Sequence, residues 1–141
     1  MFGPSREQAR RFFFDTWAKH RERKPLVGLE NVALDVMLLH PEYHSTLDDP
    51  ERHADRDYTP EVGQSNPFLH MSMHVAIEEQ LSIDQPPGIR SEFERIAAAR
   101  AGRHAALHAV LDCLGETLWR AQRDGTAPDA AAYLECLRRT A

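Results

Sequence analysis

The hydrophobic pattern of this chain is helical through most of its length. Leu29, Val32, Ala33, Val36 and Met37 fall at positions i, i+3, i+4, i+7 and i+8. That spacing is typical of a helix with one buried face. No stretch of the chain alternates strictly between apolar and polar residues, as a half-buried strand would. The pattern therefore predicts an all-α protein.

Capping and helix-breaking residues divide this pattern into five to six helices. We expect them at about 5–24, from 29 toward 40, 66–84, 89 or 91–100, 104–123, and from about 126, where Thr126 and Asp129 form a capping pattern, to 139. Pro41 either ends the second helix or opens a further turn. Residues from about 45 to 65 are polar and rich in aspartate, which predicts one long irregular loop. At this length we expect a single-domain helical bundle over residues 1–141.

The composition of the chain argues against two classes of partner, nucleic acids and membranes. A net charge of −5 argues against a nucleic-acid surface, which needs a concentrated basic face. No apolar run approaches the ~20 residues of a membrane span, and charges occupy the N-terminal segment where a signal peptide is apolar. We therefore expect a cytoplasmic protein with no membrane partner. Cys113 and Cys136 are expected to be buried or half-buried thiols, and Trp119 to lie in the core.

The spacing of the histidines is unusual. The chain contains 8, and three pairs lie four residues apart: His40 with His44, His70 with His74, and His104 with His108. Random placement would give only about 0.4 such pairs, when matches to a periodic template are counted. Side chains four apart lie on one face of a helix, so each pair can present two imidazoles to a common point.

Two of these pairs extend into the same longer pattern of two imidazoles and a carboxylate. Two such faces that meet inside a bundle can surround metal ions, as in di-iron bundle proteins. Predicted ligands are His70, His74, Glu78, His104, His108 and Asp112. His40 and His44 are further candidates, on a helix that Pro41 interrupts. The carboxylates sit at the edge of each apolar stripe, so the imidazoles are the firmer part of this prediction.

Imidazole and carboxylate donors together suit transition metals rather than calcium. Iron is the first choice and zinc the second. Two irons would support oxygen or peroxide chemistry, whereas one zinc or nickel ion would act as a Lewis acid. The chain has no glycine-rich phosphate loop, nucleophile elbow or His-Glu-x-x-His sequence, so whether it is an enzyme stays open.

The alternative hypothesis is a non-catalytic helical interaction or scaffold protein without metal. Its histidines would be structural or would form a pH-sensitive cluster. The first and last helices are then candidate surfaces for a partner or a homodimer.

Several strings resemble a known bacterial family. They are PSREQARRFFFDTWAKHR, LHPEYH, NPFLHMSMHVAIEEQLSIDQPPGIR and HAALHAVLDCLGETLW, and they are similar to the family called domain of unknown function 1841. The resemblance spans nearly the whole chain. It implies a bacterial cytoplasmic protein and supplies no activity.

The histidine pattern is more loosely similar to hemerythrin-like and DinB-like bundles. His74-x3-Glu78 and His104-x3-His108 match fragments of the hemerythrin-like di-iron site, although the order along the chain differs. In the DinB-like resemblance, which implies one metal and three histidines, His40 or His44 would join His104 and His108.

Overall fold

The computed structural model describes residues 6–53, 66–100 and 102–140. Every element of regular structure among these residues is helical, which confirms the all-α prediction. The helices are α1 (Arg6–Arg21), α2 (Leu29–Leu38), α3 (His44–Leu47), α4 (Pro50–His53), α5 (Pro67–Ile83), α6 (Ile89–Ala99), α7 (Arg103–Asp124) and α8 (Ala130–Arg139), with a 3-10 turn over Pro41–Tyr43. Within the described ranges, none of the helices is both long enough and apolar enough to cross a bilayer.

Local signals set several helix ends where the sequence predicts them. The Asn66 side chain accepts hydrogen bonds from the backbone N–H groups of Phe68 and Leu69 at 3.0 and 3.1 Å, and so caps α5. Asp129 caps α8 in the same way through the N–H of Ala132. Gly125 ends α7 with a φ of 66°, a left-handed conformation that costs glycine little.

The prediction of one irregular loop over about 45–65 is wrong in its first part. α3 and α4 each form a single helical turn there, so the predicted count of five to six helices is too low. Turns this short carry no hydrophobic period that a sequence pattern could reveal. The remaining positions of that loop, 54–65, lie outside the described residues.

The chain divides into two compact units, Met1–Val75 and Ala76–Ala141, with the boundary inside α5. The single domain expected over 1–141 stays a prediction. The core of the first unit is built by α1, α2, α3 and the start of α5. Its buried side chains are Phe13, Phe14, Trp17, Ala33, Val36, Met37, Leu47, Phe68, Met71 and Val75. These include the stripe of α2 and the aromatic cluster of α1.

A polar contact ties α1 to the end of α3 in the first unit. Asp48 accepts a hydrogen bond from the Trp17 indole at 2.7 Å and two from the Arg21 guanidinium at 3.2 and 3.1 Å. Hydrogen bonds from Arg21, and then from Trp17, lower the pKa of the Asp48 carboxyl.

The Asp48 contact makes stability depend on pH. Because folding lowers this pKa, the stabilisation is present above the ordinary aspartate pKa of 3.8 and is lost as pH falls below it. Asp48→Asn removes the charge and keeps an acceptor for Trp17. We expect its thermal midpoint to lie below the wild-type midpoint at pH 7, and the two midpoints to converge as pH falls below 3.8. For a pair this exposed, the cost at pH 7 stays below about 1 kcal/mol. Melting curves across that range check this, and a gap that stays constant with pH would contradict it.

The second unit packs the rest of α5 with α6, α7 and α8. Its buried residues include Ile77, Leu81, Ile89, Phe93, Ile96, Leu107, Val110, Leu114, Tyr133 and Leu137. The Tyr133 hydroxyl donates to the Gln80 side chain at 2.8 Å, which ties α8 to α5. Arg95 of α6 donates to the carbonyls of Leu137 and Thr140 at 2.7 and 3.0 Å, and so satisfies the exposed C-terminal end of α8.

Two expectations about the second unit are wrong. Cys113 and Cys136 are not thiols but form a disulfide between α7 and α8, with Cα atoms 5.8 Å apart. Sequence spacing could not reveal this, because the pairing depends on α8 folding back beside α7. Trp119 is not in the core but 59% exposed, and the Arg123 guanidinium lies 4.9 Å from its ring centroid. Its position falls off the buried stripe of α7, and a cation–π contact covers part of the ring instead.

Candidate metal centre

His40 lies just beyond the end of α2. The following Pro41 disfavours helix at this position, and the backbone of His40 is not helical, with φ −126° and ψ 68°. Its side chain is buried, and its Nδ1 lies 2.8 Å from the carbonyl oxygen of Val36. A carbonyl only accepts, so Nδ1 carries the proton. In the neutral ring, Nε2 then presents its lone pair.

His70 and His74 approach His40 from α5. They lie one turn apart on that helix, with ring centroids separated by 4.7 Å. The Nε2 atom of His70 is 3.1 Å from Nε2 of His40 and 3.1 Å from Nε2 of His74. The sequence-predicted pair on α5 and the further candidate His40 therefore meet within the first unit.

The three nitrogens have the spacing of ligands around one ion. Each histidine offers a ring nitrogen, and these atoms lie within 4.8 Å of one another. Nitrogens bound to zinc at ~2.0–2.1 Å in a tetrahedron lie about 3.3 Å apart. The observed contacts of 3.1 Å are close to that separation. The imidazoles thus lie close to the arrangement that coordination of one ion requires.

Hydrogen bonds between the rings cannot account for both Nε2 contacts of His70. The Nε2 atom of His70 has one bonding direction in the ring plane, which holds either a proton or a lone pair. It therefore cannot donate to His40 and accept from His74 at the same time, although both atoms lie at 3.1 Å. A cation among the rings accepts a lone pair from each, and neutral imidazole is the commonest metal ligand.

The hydrogen bond from His40 Nδ1 to the Val36 carbonyl is typical of a metal-bound histidine. Metal-bound histidines usually donate the other ring N–H to a carbonyl or carboxylate, which fixes the tautomer and the ring orientation. Here a backbone carbonyl does so at 2.8 Å, from a residue whose side chain is in the core. Sequence reasoning missed this contact, since it depends on how the chain turns after α2.

Tyr43 is a second feature that the sequence did not assign. Its ring stacks on His40 at 5.3 Å with an interplanar angle of 7°, and meets the His70 ring edge-on at 6.1 Å. Burial raises the pKa of the Tyr43 hydroxyl, and the charge of Glu42 adds to that effect. The proximity of Tyr43 to His40 in the sequence was the only available signal.

His44 does not join the group. Its Nε2 donates to the carbonyl of Met37 at 2.8 Å, and its ring lies 4.5 Å from the ring of Trp17. This imidazole therefore fixes the turn after α2 and packs on the aromatic core. It differs from His40 in having its Nε2 committed to a carbonyl.

The other predicted ligands belong to the second unit. Glu78 forms a two-point ion pair with Arg103, at 2.7 and 2.8 Å. Asp112 is exposed on α7. His104 and His108 lie one turn apart on α7, with ring centroids separated by 4.4 Å. That this pair shares an ion with the other histidines stays a prediction.

The cap on α5 can be tested as part of the site. Asn66→Ala removes the acceptor for two backbone N–H groups at the start of the helix that carries His70 and His74. We expect the free energy of unfolding to fall by about 1 kcal/mol. Asn66→Asp is the matched control, since it keeps the acceptor and is expected to retain most of the stability. Denaturant titration of the three proteins measures this, and equal losses in both variants would contradict a capping role.

Comparison with known proteins places this chain in a family. No curated protein and no solved structure matches it. Residues 5–139 match the family model described as Domain of unknown function (DUF1841). Because the match covers nearly the whole chain, the protein belongs to the family of domain of unknown function 1841.

Proposed function

We propose that the protein binds one transition-metal ion through His40, His70 and His74. The observation that carries this proposal is the convergence of three imidazole nitrogens, with two Nε2 contacts of 3.1 Å. The His40 tautomer supports it, because its proton is held on Nδ1 by a carbonyl. Packing alone gives no reason for three buried or half-buried imidazoles to point the same nitrogen at one another.

The donor set favours a mononuclear centre. Di-iron bundle sites rely on carboxylates from several helices, and Glu78, the carboxylate that the sequence predicts as a ligand beside His74, is paired with Arg103. Three neutral imidazoles suit zinc, nickel, copper and iron. The preference therefore moves from iron, the first choice by sequence pattern, to zinc.

A centre of this kind would support Lewis-acid chemistry. Catalytic zinc sites hold three protein ligands and keep the fourth position for water or substrate. A metal ion so held lowers the pKa of a bound water and polarises a carbonyl group. The reaction class we propose is metal-assisted hydration or hydrolysis. The contribution of this chain is to hold three ring nitrogens in place, one of them oriented by the Val36 carbonyl.

Titration of metal-free protein with cobalt(II) tests the proposal. Cobalt(II) reports its coordination through visible absorption, and we expect saturation at about one equivalent, with zinc displacing it. Displacement by zinc separates a specific site from weak surface binding. A featureless titration that never saturates would contradict the proposal. It would then favour the alternative, a helical interaction protein with structural histidines.

The same titration tests the sequence prediction for α7. His108→Ala and His104→Ala are two equal changes one turn apart on one helix. If one of these two histidines is a fourth ligand, its replacement changes the cobalt(II) spectrum and weakens cobalt binding. If neither does, the ion has three protein ligands and the predicted participation of this pair is wrong.

A further inference from the structure

The two cysteines of the disulfide differ in exposure. Cys113 on α7 is buried, at 3% exposure, whereas Cys136 on α8 is half-buried. Thiol–disulfide exchange requires a thiolate to reach one sulfur. In this pair, Cys136 is the residue with surface exposed to solvent.

Cys136 lines a cleft between the C-terminal half of α7 and α8. The cleft has a volume of about 760 Å³, within the range of small-molecule sites. Its walls carry charges of both signs, including Glu116, Arg120, Glu135 and Arg139. These charges pair as Arg120 with Glu116 and Arg139 with Glu135, and such exposed pairs are weak enough to exchange partners. The walls therefore suit a small thiol that carries both carboxylate and ammonium groups.

Other contacts hold α8 in place besides the disulfide. Leu137 is fully buried, the Tyr133 hydroxyl bonds to Gln80, and the guanidinium of Arg95 binds the last carbonyls of the helix. Thr140 Oγ1 lies 3.7 Å from Cys113 Sγ and could accept a hydrogen bond from a Cys113 thiol. The reduced pair would thus stay close together, which a pair that cycles between two states requires.

We propose that Cys113 and Cys136 form a reversible redox pair that exchanges with a small zwitterionic thiol in this cleft. The incoming thiolate attacks the Cys136 sulfur, forms a mixed disulfide there, and releases Cys113 as a thiolate that takes up a proton. A second thiol attacks the mixed disulfide, frees the Cys136 thiol, and leaves as the oxidised small-molecule disulfide. Two electrons pass from two thiols to the cystine. In a cytoplasmic protein, which the sequence predicts, a disulfide is usually transient or redox-sensing.

The two single-cysteine variants provide a matched test. Cys113→Ser and Cys136→Ser both lack the disulfide and differ only in which thiol remains. With oxidised glutathione as the probe, we expect Cys136 in the first variant to form the mixed disulfide at least about 10-fold faster than Cys113 in the second. Mass spectrometry over time measures both rates. Equal rates, or faster reaction of Cys113, would overturn the proposal.

The same reaction can be followed in the wild-type protein, which does not depend on a substituted chain folding. Reduced glutathione is expected to open the disulfide with the helical circular dichroism largely retained. Limiting iodoacetamide should then label Cys136 before Cys113, and oxidised glutathione should restore the disulfide. A disulfide that opens only with loss of the helical signal would show a purely structural cross-link and overturn the proposal.

Discussion

His70→Gln is expected to weaken zinc binding by at least about 100-fold, since loss of a direct ligand should exceed the 10–100-fold effect of losing an outer partner. His70 is the central member of the group, because its Nε2 lies 3.1 Å from that of both His40 and His74. Its replacement leaves two imidazoles, which are too few to hold zinc at neutral pH in competition with a chelator. Competition with a chromophoric chelator measures the affinity.

His44→Gln is the matched control for this change. It removes an imidazole with the same sequence spacing from His40 as His74 has from His70, in the same compact unit. The structure commits His44 to the Met37 carbonyl, and a glutamine amide can donate there as well. We expect its zinc affinity to stay within about 3-fold of wild type, far below the loss from a ligand. Equal effects of the two variants would contradict the assignment of ligands.

Thermal stability gives a second reading of the same experiment. An ion that binds only the folded chain stabilises it by about 2.7 kcal/mol at 100 times its Kd. Excess zinc should therefore raise the melting temperature of the wild type and of His44→Gln, and leave that of His70→Gln nearly unchanged. A rise of equal size in all three proteins would indicate binding elsewhere on the chain.

Removing the disulfide is the other change with a large expected effect. Cys113 and Cys136 are separated by 23 positions, so the bond closes a long loop in the unfolded chain. The loss of chain entropy for a loop of that length corresponds to about 3 kcal/mol. We expect the Cys113→Ser/Cys136→Ser double variant to lose about that much unfolding free energy, and to stay folded because typical stabilities are about 5–15 kcal/mol.

Denaturant unfolding with and without a reductant tests this prediction. Reductant should lower the midpoint of the wild type to that of the double variant, and should leave the double variant unchanged. The second comparison controls for effects of the reductant on anything other than this bond. A change below about 1 kcal/mol in both tests would contradict a stabilising cross-link.

The parts of the fold that depend on local chemistry could be predicted from the sequence. The stripe of α2 and the cap at Asn66 act within one or two turns of chain, and the structure has them as expected. Trp119 shows that residue type alone does not predict burial. Its position beside Glu116 and Arg123 places it off the buried stripe of α7, and periodicity outweighs its apolar character.

The candidate site was predictable only in part. Spacing identified the His70 and His74 pair, because two residues one turn apart share a helix face. Periodicity alone does not place His40 on a helix face, because Pro41 interrupts the helix, yet the break after α2 is what leaves this histidine facing α5. The pairing of Glu78 with Arg103 depends on where the first residue of α7 lies relative to α5, which no local pattern encodes. The disulfide could not be predicted either, because it depends on α8 folding back beside α7.

Elemental analysis of the protein, purified without an affinity tag or added metal, tests the central claim most directly. We predict about one equivalent of a transition metal per chain, zinc first, which is lost in His70→Gln and kept in His44→Gln. Metal far below one equivalent in all three proteins, also after growth with each metal supplied, would contradict a metal centre at His40, His70 and His74.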